Sequence, residues 1–337
     1  MSCIVRNRPG MLRYGAAHYI TDQMYTPGYC EQQIERDCER SGISTKEFAD
    51  SKIILSFLDE GFGPEEIAPL TDILLRTHPD RFMVLFNAHT DVVRLPYPAQ
   101  CFTAWLINRN EYKLDQFNYN FDIALDRKFL CLLRRPTLNR ARLARFLLYN
   151  IGLDNVRLSF GSGAQGGLEQ YSSIVGCDLP LLVDGVLTDR VQEFDIANSL
   201  FNSCLFNIAA ETSSQTETNW RSVFLTEKTW KAIMQRQIPI WVGVPGLVNQ
   251  VKALGFDTFD DIVDHSYDSV LNETQRHQTV FDLIQQINQR FSLADCQSLR
   301  QQLKPRLQDN FEQLLTYFRT NRREVFNAVL EFDYSTT

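Results

Sequence analysis

Metal-site signatures are missing from this 337-residue chain. Its eight cysteines, at positions 3, 30, 38, 101, 131, 177, 204 and 296, never fall as Cys-x-x-Cys. No Asp-x-Asp occurs, and no His/Cys/Asp cluster has ligand spacing, so no metal is expected. Cys131 and Cys204 lie inside apolar runs and read as small core residues; the whole set is expected to be reduced thiols in a cytoplasmic protein. Long hydrophobic runs are absent too. No window approaches 18 apolar residues, and the opening MSCIVRNRPGMLRYG has no apolar signal core, so neither a membrane span nor a secretory leader is expected. Positive charge is short: 34 Lys and Arg against 41 Asp and Glu leave a net charge of −7. That balance counts against a general nucleic-acid or anionic-membrane surface, leaving room only for a local basic groove.

What is present suits a globular α/β protein. The chain exceeds the usual single core, so two domains are expected, and 44% hydrophobic content with 23 phenylalanines supplies them. Residues 1–50 are polar and poorly periodic, with turns at Pro9-Gly10 and Pro27-Gly28. Lys52–Leu58 reads as the first strand, ending in Asp59-Glu60-Gly61. A helix over Pro64–Thr77 follows, then a strand at Arg81–Phe86 that ends in Asn87-Ala88-His89-Thr90-Asp91. Strand, helix, strand at this spacing points to a parallel α/β domain. Cys101–Ile107 is a further strand candidate.

Near Asp126 the character changes. Arg127–Arg145 carries seven basic residues and no acid. Phe129–Leu133 reads as a strand, Arg134-Arg135-Pro136 as its exit, and Asn139–Tyr149 as an amphipathic helix. A domain boundary is placed just before this strand. Arg134 and Arg135 then stand at a strand's C-terminal end, where an anionic group is held, whereas Arg142 and Arg145 suit a solvated helix face equally well. After the strand Val156–Phe160, Gly161-Ser-Gly163-Ala-Gln-Gly166 matches G-x-G-x-x-G, with Asp184 18 residues beyond. The eleven residues behind it offer little helical face, so a flexible glycine loop is preferred to a dinucleotide fingerprint.

The stretch Phe224–Gly246, FLTEKTWKAIMQRQIPIWVGVPG, is the most informative. Thr226 is an N-cap, Glu227 and Lys228 fill the first helical turn, and Trp230, Ile233 and Met234 form an apolar stripe. Pro239 stops the helix; Ile238–Val242 reads as a short buried strand, and Gly243-Val-Pro245-Gly246 as its loop. Thr226-Glu227-Lys228, this helix, and Ile238-Pro239-Ile240-Trp241-Val242-Gly243 resemble the donor-binding signature of the α1,3-fucosyltransferase family. Leu254–Phe259 and Asp264-His265-Ser266-Tyr267-Asp268 resemble uncharacterised phage and bacterial glycosyltransferase-like proteins. The match runs roughly from Ala210 to Asp268.

The resemblance implies a GT-B fold of two Rossmann-like domains with a helical C-terminal segment. Residues 1–125 would bind the acceptor and 126–305 the nucleotide-sugar donor, while 306–337 would form a helix packing back on the first domain. It also implies that Glu211, the acid ending the strand Ser203–Ala209, belongs to the donor site, as does Gly243. The implied reaction is transfer of a sugar from a nucleotide sugar to a hydroxyl acceptor, a glycan or modified DNA, with inversion and without metal or other cofactor. In such chemistry Lys228 and Arg134 or Arg135 contact the diphosphate, and Glu227 accepts hydrogen bonds from donor hydroxyls. The general base comes from the other domain, with Asp59 and Glu60 the first candidates and His89 and Asp91 the second. Two other classes stay open: an NAD(P)-dependent oxidoreductase built on Gly161–Gly166, and a non-catalytic binding protein of glycosyltransferase fold.

Overall fold

The computed structural model describes residues 119–161, 168–182, 198–211 and 223–334, together with 2–8, 11–16, 36, 39, 43, 44, 46, 52–57, 68–77, 80–86, 88, 89, 95 and 99–101. The architecture is mixed α/β with parallel sheets. The chain divides into two compact units: Met1–Arg109 with Asn219–Leu225 and Tyr317–Thr337, and Asn110–Thr218 with Thr226–Thr316. The first division thus falls before 110, not before 126. Phe121 and Leu125 explain this: the Phe121 carbonyl accepts from Arg300 Nη2 at 2.9 Å, and Leu125 N donates to Gln297 Oε1 at 2.9 Å. Likewise the change at the C-terminal end falls before 317, not 306. Arg306 binds both Asp257 and Asp261, and Arg236 stacks on Phe311 with 3.5 Å to the ring centroid.

In the first unit, strands β1 (Ser2–Arg8), β2 (Met11–Ala16), β3 (Lys52–Phe57), β4 (Phe82–Phe86) and β6 (Ala99–Cys101) form one sheet in the order β1-β2-β3-β4-β6. Within this sheet only β1 and β2 pair antiparallel; the remaining pairs are parallel. This hairpin adds two strands to a segment, residues 1–50, read from sequence as polar and poorly periodic. Its strands, SCIVRNR and MLRYGA, mix apolar and basic residues without strict alternation, a pattern weak in periodicity yet sufficient once backbone pairing is available. Helix α1 (Ala68–Thr77) joins β3 to β4. Strand β5 (Ala88–His89) pairs separately with β10 (Val223–Phe224).

The second unit is built on four parallel strands: β7 (Arg127–Leu133), β8 (Val156–Phe160), β9 (Cys204–Ala210) and β11 (Ile238–Val242). Their spatial order is β11-β9-β7-β8. Every residue of β9 and β11 is buried, as expected of strands covered on both faces. Pro239 falls on the edge strand β11, where a missing N–H costs no ladder bond. From β7 the chain steps to β8, then returns to the other side of β7 for β9 and continues outward to β11. The winding direction therefore reverses between β7 and β9.

The further α-helices described are α2 (Leu138–Phe146), α3 (Glu169–Val175), α4 (Asn198–Asn202), α5 (Glu227–Met234), α6 (Leu247–Ala253), α7 (Glu273–Arg290), α8 (Leu293–Gln302) and α9 (Lys304–Tyr334). Pro305 lies in the first turn of α9, where no intrahelical N–H is needed, so it starts this helix instead of breaking one. Helix α3 occupies the stretch behind Gly161 that offers little helical face in sequence. It is short, ends on left-handed Gly176 (φ 86°) and buries only Val175. Beyond α3, Leu181 forms one antiparallel bridge with Phe160.

Trp230 of α5 is fully buried, with its ring centroid 5.3 Å from that of Phe256. Trp230→Ala is expected to cost about 3–5 kcal/mol through lost burial and the cavity left behind. A urea titration checks this: the midpoint falls while the slope stays constant.

Candidate functional site

Open parallel sheets leave a crevice outside the carboxyl ends of the strands where the winding reverses. Here those ends are Leu133, followed by Arg134, and Ala210, followed by Glu211. Helix α2 begins beside the first of them. Thr137 caps it, accepting from Arg140 N at 3.3 Å. Arg140 itself points inward and is only 3% exposed. Its Nη1 donates to the Arg135 carbonyl at 3.0 Å and its Nη2 to the Ala210 carbonyl at 2.5 Å, so one guanidinium ties the exit of β7 to the end of β9. Burial lowers its pKa, and the carboxylates of Glu211 and then Glu227 oppose that shift.

Glu211, 5% exposed, organises the other side. Its two carboxylate oxygens accept from the hydroxyls of Thr226 and Thr229, each at 2.6 Å. Thr226 caps α5 by accepting from Lys228 N at 3.1 Å. The acid that ends β9 therefore fixes the start of α5, and with it Glu227 and Lys228. Lys228 Nζ lies 2.5 Å from Glu227 Oε1 and 3.5 Å from Thr226 Oγ1. Burial pushes the Glu227 carboxyl up, but Lys228 and Lys231 outweigh it and the net shift is downward. Gly243 follows β11 against this group: a Cβ there would stand 2.7 Å from Leu247 Cδ1 and 3.5 Å from Glu211 Cγ. Its carbonyl accepts from Arg276 Nε at 3.0 Å.

Glu211, Thr226, Glu227, Lys228 and Gly243 are thus brought together in the second unit. Arg134 and Arg135 are exposed at the β7 exit of the same crevice. Of the base candidates, His89 lies on β5 with its backbone opposite Val223; Asp59, Glu60 and Asp91 lie outside the described residues. So do Gly163, Gly166 and Asp184 of the glycine-loop alternative. No protein-family model and no curated protein matches the chain.

Two residues here are not singled out by motif reading. Arg140 is one of seven basic residues in its segment, yet Arg140, Leu143 and Ala144 recur at i, i+3 and i+4, the buried face of α2. His277 likewise shares a face with Val280, Ile284 and Ile287 on α7. A polar, titratable side chain on an apolar face is the signal that finds both. Among the described residues no group of three His, Cys, Asp or Glu side chains could hold a metal ion, and no helix is long and apolar enough to cross a membrane. A larger open cleft of about 340 Å³ lies along α6, but its His265 is fully engaged, Nδ1 with Tyr267 Oη and Nε2 with the Thr258 carbonyl.

Burial pushes the His277 imidazole down to about 4 from its ordinary 6.5; Glu273 opposes this, while Arg276 and Arg142 add to it. Below pH 6.5 the unfolded chain takes up a proton that the folded one refuses. This contribution to stability is therefore complete above pH 6.5, is lost as the pH falls towards 4, and then levels off. Between pH 7 and 5 the loss is about 2 kcal/mol. Urea unfolding across that range should show it, and His277→Phe should flatten the slope. Part of the slope remains, because burial lowers the His265 pKa as well.

Proposed function

We propose that the chain is a glycosyltransferase of GT-B architecture, with two Rossmann-like domains, moving a sugar from a nucleotide donor to a hydroxyl acceptor. The observation that supports this most is the one carboxylate, Glu211, on which the end of β9 and the Thr226-Glu227-Lys228 helix start converge, where the sheet reverses its winding. A diphosphate held at such a crevice faces Lys228 and the N-terminus of α5, with Arg134 and Arg135 across the β7 exit. Negative charge grows on the diphosphate as the glycosidic C–O bond breaks. Cations fixed beforehand stabilise that charge without a metal, and Glu227 accepts hydrogen bonds from donor hydroxyls.

The acceptor oxygen forms the new bond to the anomeric carbon from the opposite side, which inverts it, as a general base takes the hydroxyl proton. Glu60 is the first candidate for that base, then Asp59, His89 and Asp91. The acceptor is a glycan in this reading, with modified DNA a variant that the acidic composition disfavours. The protein works in the cytoplasm with reduced cysteines and no cofactor beyond the donor.

Incubation with UDP-, GDP-, CMP- and TDP-sugars, followed by quantitation of free nucleotide, tests the reading. Release with one donor that Lys228→Ala abolishes is the expected result. Binding without release indicates a non-catalytic protein, and binding of NAD(H) or NADP(H) alone indicates an oxidoreductase.

A further inference from the structure

The start of α7 is fastened over the crevice. Arg276 donates to the carbonyls of Gly243, Val270 and Leu271, and Asn139 Nδ2 of α2 donates to Glu273 Oε1 at 2.6 Å. Farther along, Phe281 stacks on Phe146 of α2 with centroids 4.5 Å apart and planes 6° apart. Between these fastenings lies a cavity of about 10 Å³, whose lining includes the apolar Leu143, Val242 and Phe281 as well as Arg140, Glu211 and His277. That is room for a single water-sized group.

His277 is 7% exposed, and its Nε2 is buried without a hydrogen-bond partner. An imidazole nitrogen in this position is costly unless something occupies the space beside it. The occupant's chemistry is constrained by its neighbours. A phosphoryl group is too large, and Glu211 stands in the same wall. An apolar group would leave Nε2 unsatisfied. A hydroxyl fits, because it can both donate and accept. Glu211 has accepting capacity left beyond its two threonine bonds, and the His277 ring is uncharged near neutrality.

We infer that this cavity is a hydroxyl-binding subsite, in which His277 Nε2 hydrogen-bonds one hydroxyl of the bound nucleotide sugar and Arg140 and Glu211 fix its position. The inference rests on the proposed donor site. The hydroxyl belongs either to the ribose or to the transferred sugar, and the two have the same chemistry. His277 would then be a specificity determinant, rejecting a ligand that lacks this hydroxyl because its nitrogen is left unpaired.

The test is isothermal titration of wild type, His277→Phe and His277→Gln. The ligands are GDP and UDP, their 2′-deoxy and 3′-deoxy counterparts, and GDP- and UDP-sugars with and without individual sugar hydroxyls. For one hydroxyl, the wild type should bind the complete ligand about 10- to 100-fold more tightly than the deoxy analogue. His277→Phe should bind the two equally, and His277→Gln should recover part of the preference. A ribose analogue showing this pattern assigns the ribose, and a sugar analogue assigns the sugar. Equal binding of all analogues by wild type would mean that the cavity holds only water, which overturns the inference. So would a wild-type preference that His277→Phe leaves unchanged. If no nucleotide binds the wild type through Lys228, the donor-site reading itself fails. Retained far-ultraviolet circular dichroism and a cooperative melt of His277→Phe separate either result from misfolding.

Discussion

Lys228→Ala is expected to weaken nucleotide-diphosphate binding by about 100-fold, since truncating one member of a partly buried charge pair typically costs 2–5 kcal/mol. The protein should fold normally all the same. The Lys228 side chain is 25% exposed, and its ion pair with Glu227 contributes only about 0–1 kcal/mol, as partly solvated pairs do. Its other tie is to Thr226, whose capping bond runs from the Lys228 backbone and survives the substitution. Lys228→Arg should recover part of the affinity, because it keeps the charge but not the ammonium geometry. Titration calorimetry at two salt concentrations checks the assignment: the wild type should lose affinity with added salt more steeply than Lys228→Ala.

Glu211→Leu is expected to have the opposite profile, a large loss of stability that disables the site indirectly. The substitution leaves two buried threonine hydroxyls without their acceptor and removes the carboxylate that acts most strongly on the Arg140 guanidinium. Breaking such a buried network costs about 3–5 kcal/mol, roughly 10 °C in Tm for a unit of this size. Glu211→Gln, which can still accept from one hydroxyl, should fall between. A double-mutant cycle with Arg140→Leu measures the coupling. A favourable coupling above about 0.5 kcal/mol is expected for groups sharing one network, and additive losses would show that Arg140 and Glu211 act independently. The same cycle with Thr229→Val should show coupling through the hydrogen bond.

Several of these elements were legible in the residues. Strands β8 and β11 fall where their apolar runs place them, and the Thr226 cap is a matter of local chemistry that no tertiary contact needs to supply. The edge hairpin β1–β2 was not legible, because its apolar residues follow no clear period and its pairing is settled by backbone bonds. Helix α3 was missed for a related reason: a helix that buries one residue leaves almost no periodic trace. In the site, the Thr226-Glu227-Lys228 segment could be read from sequence, since a cap and a first turn are contiguous. Arg140 and His277 could not be assigned roles that way. Each reaches the crevice from a different helix, and only the strand order brings α2, α5 and α7 to the same end of the sheet.

The most direct measurement is a thermal-shift series with UDP, GDP, CMP and TDP, alongside NAD(H) and NADP(H), on wild type and Lys228→Ala. A ligand at 100 times its Kd adds about 2.7 kcal/mol to the folded state alone. The account predicts that one nucleotide diphosphate raises the wild-type Tm by several degrees and leaves Lys228→Ala unmoved. A shift with a dinucleotide only, or an equal shift of both proteins by the same nucleotide, would contradict it.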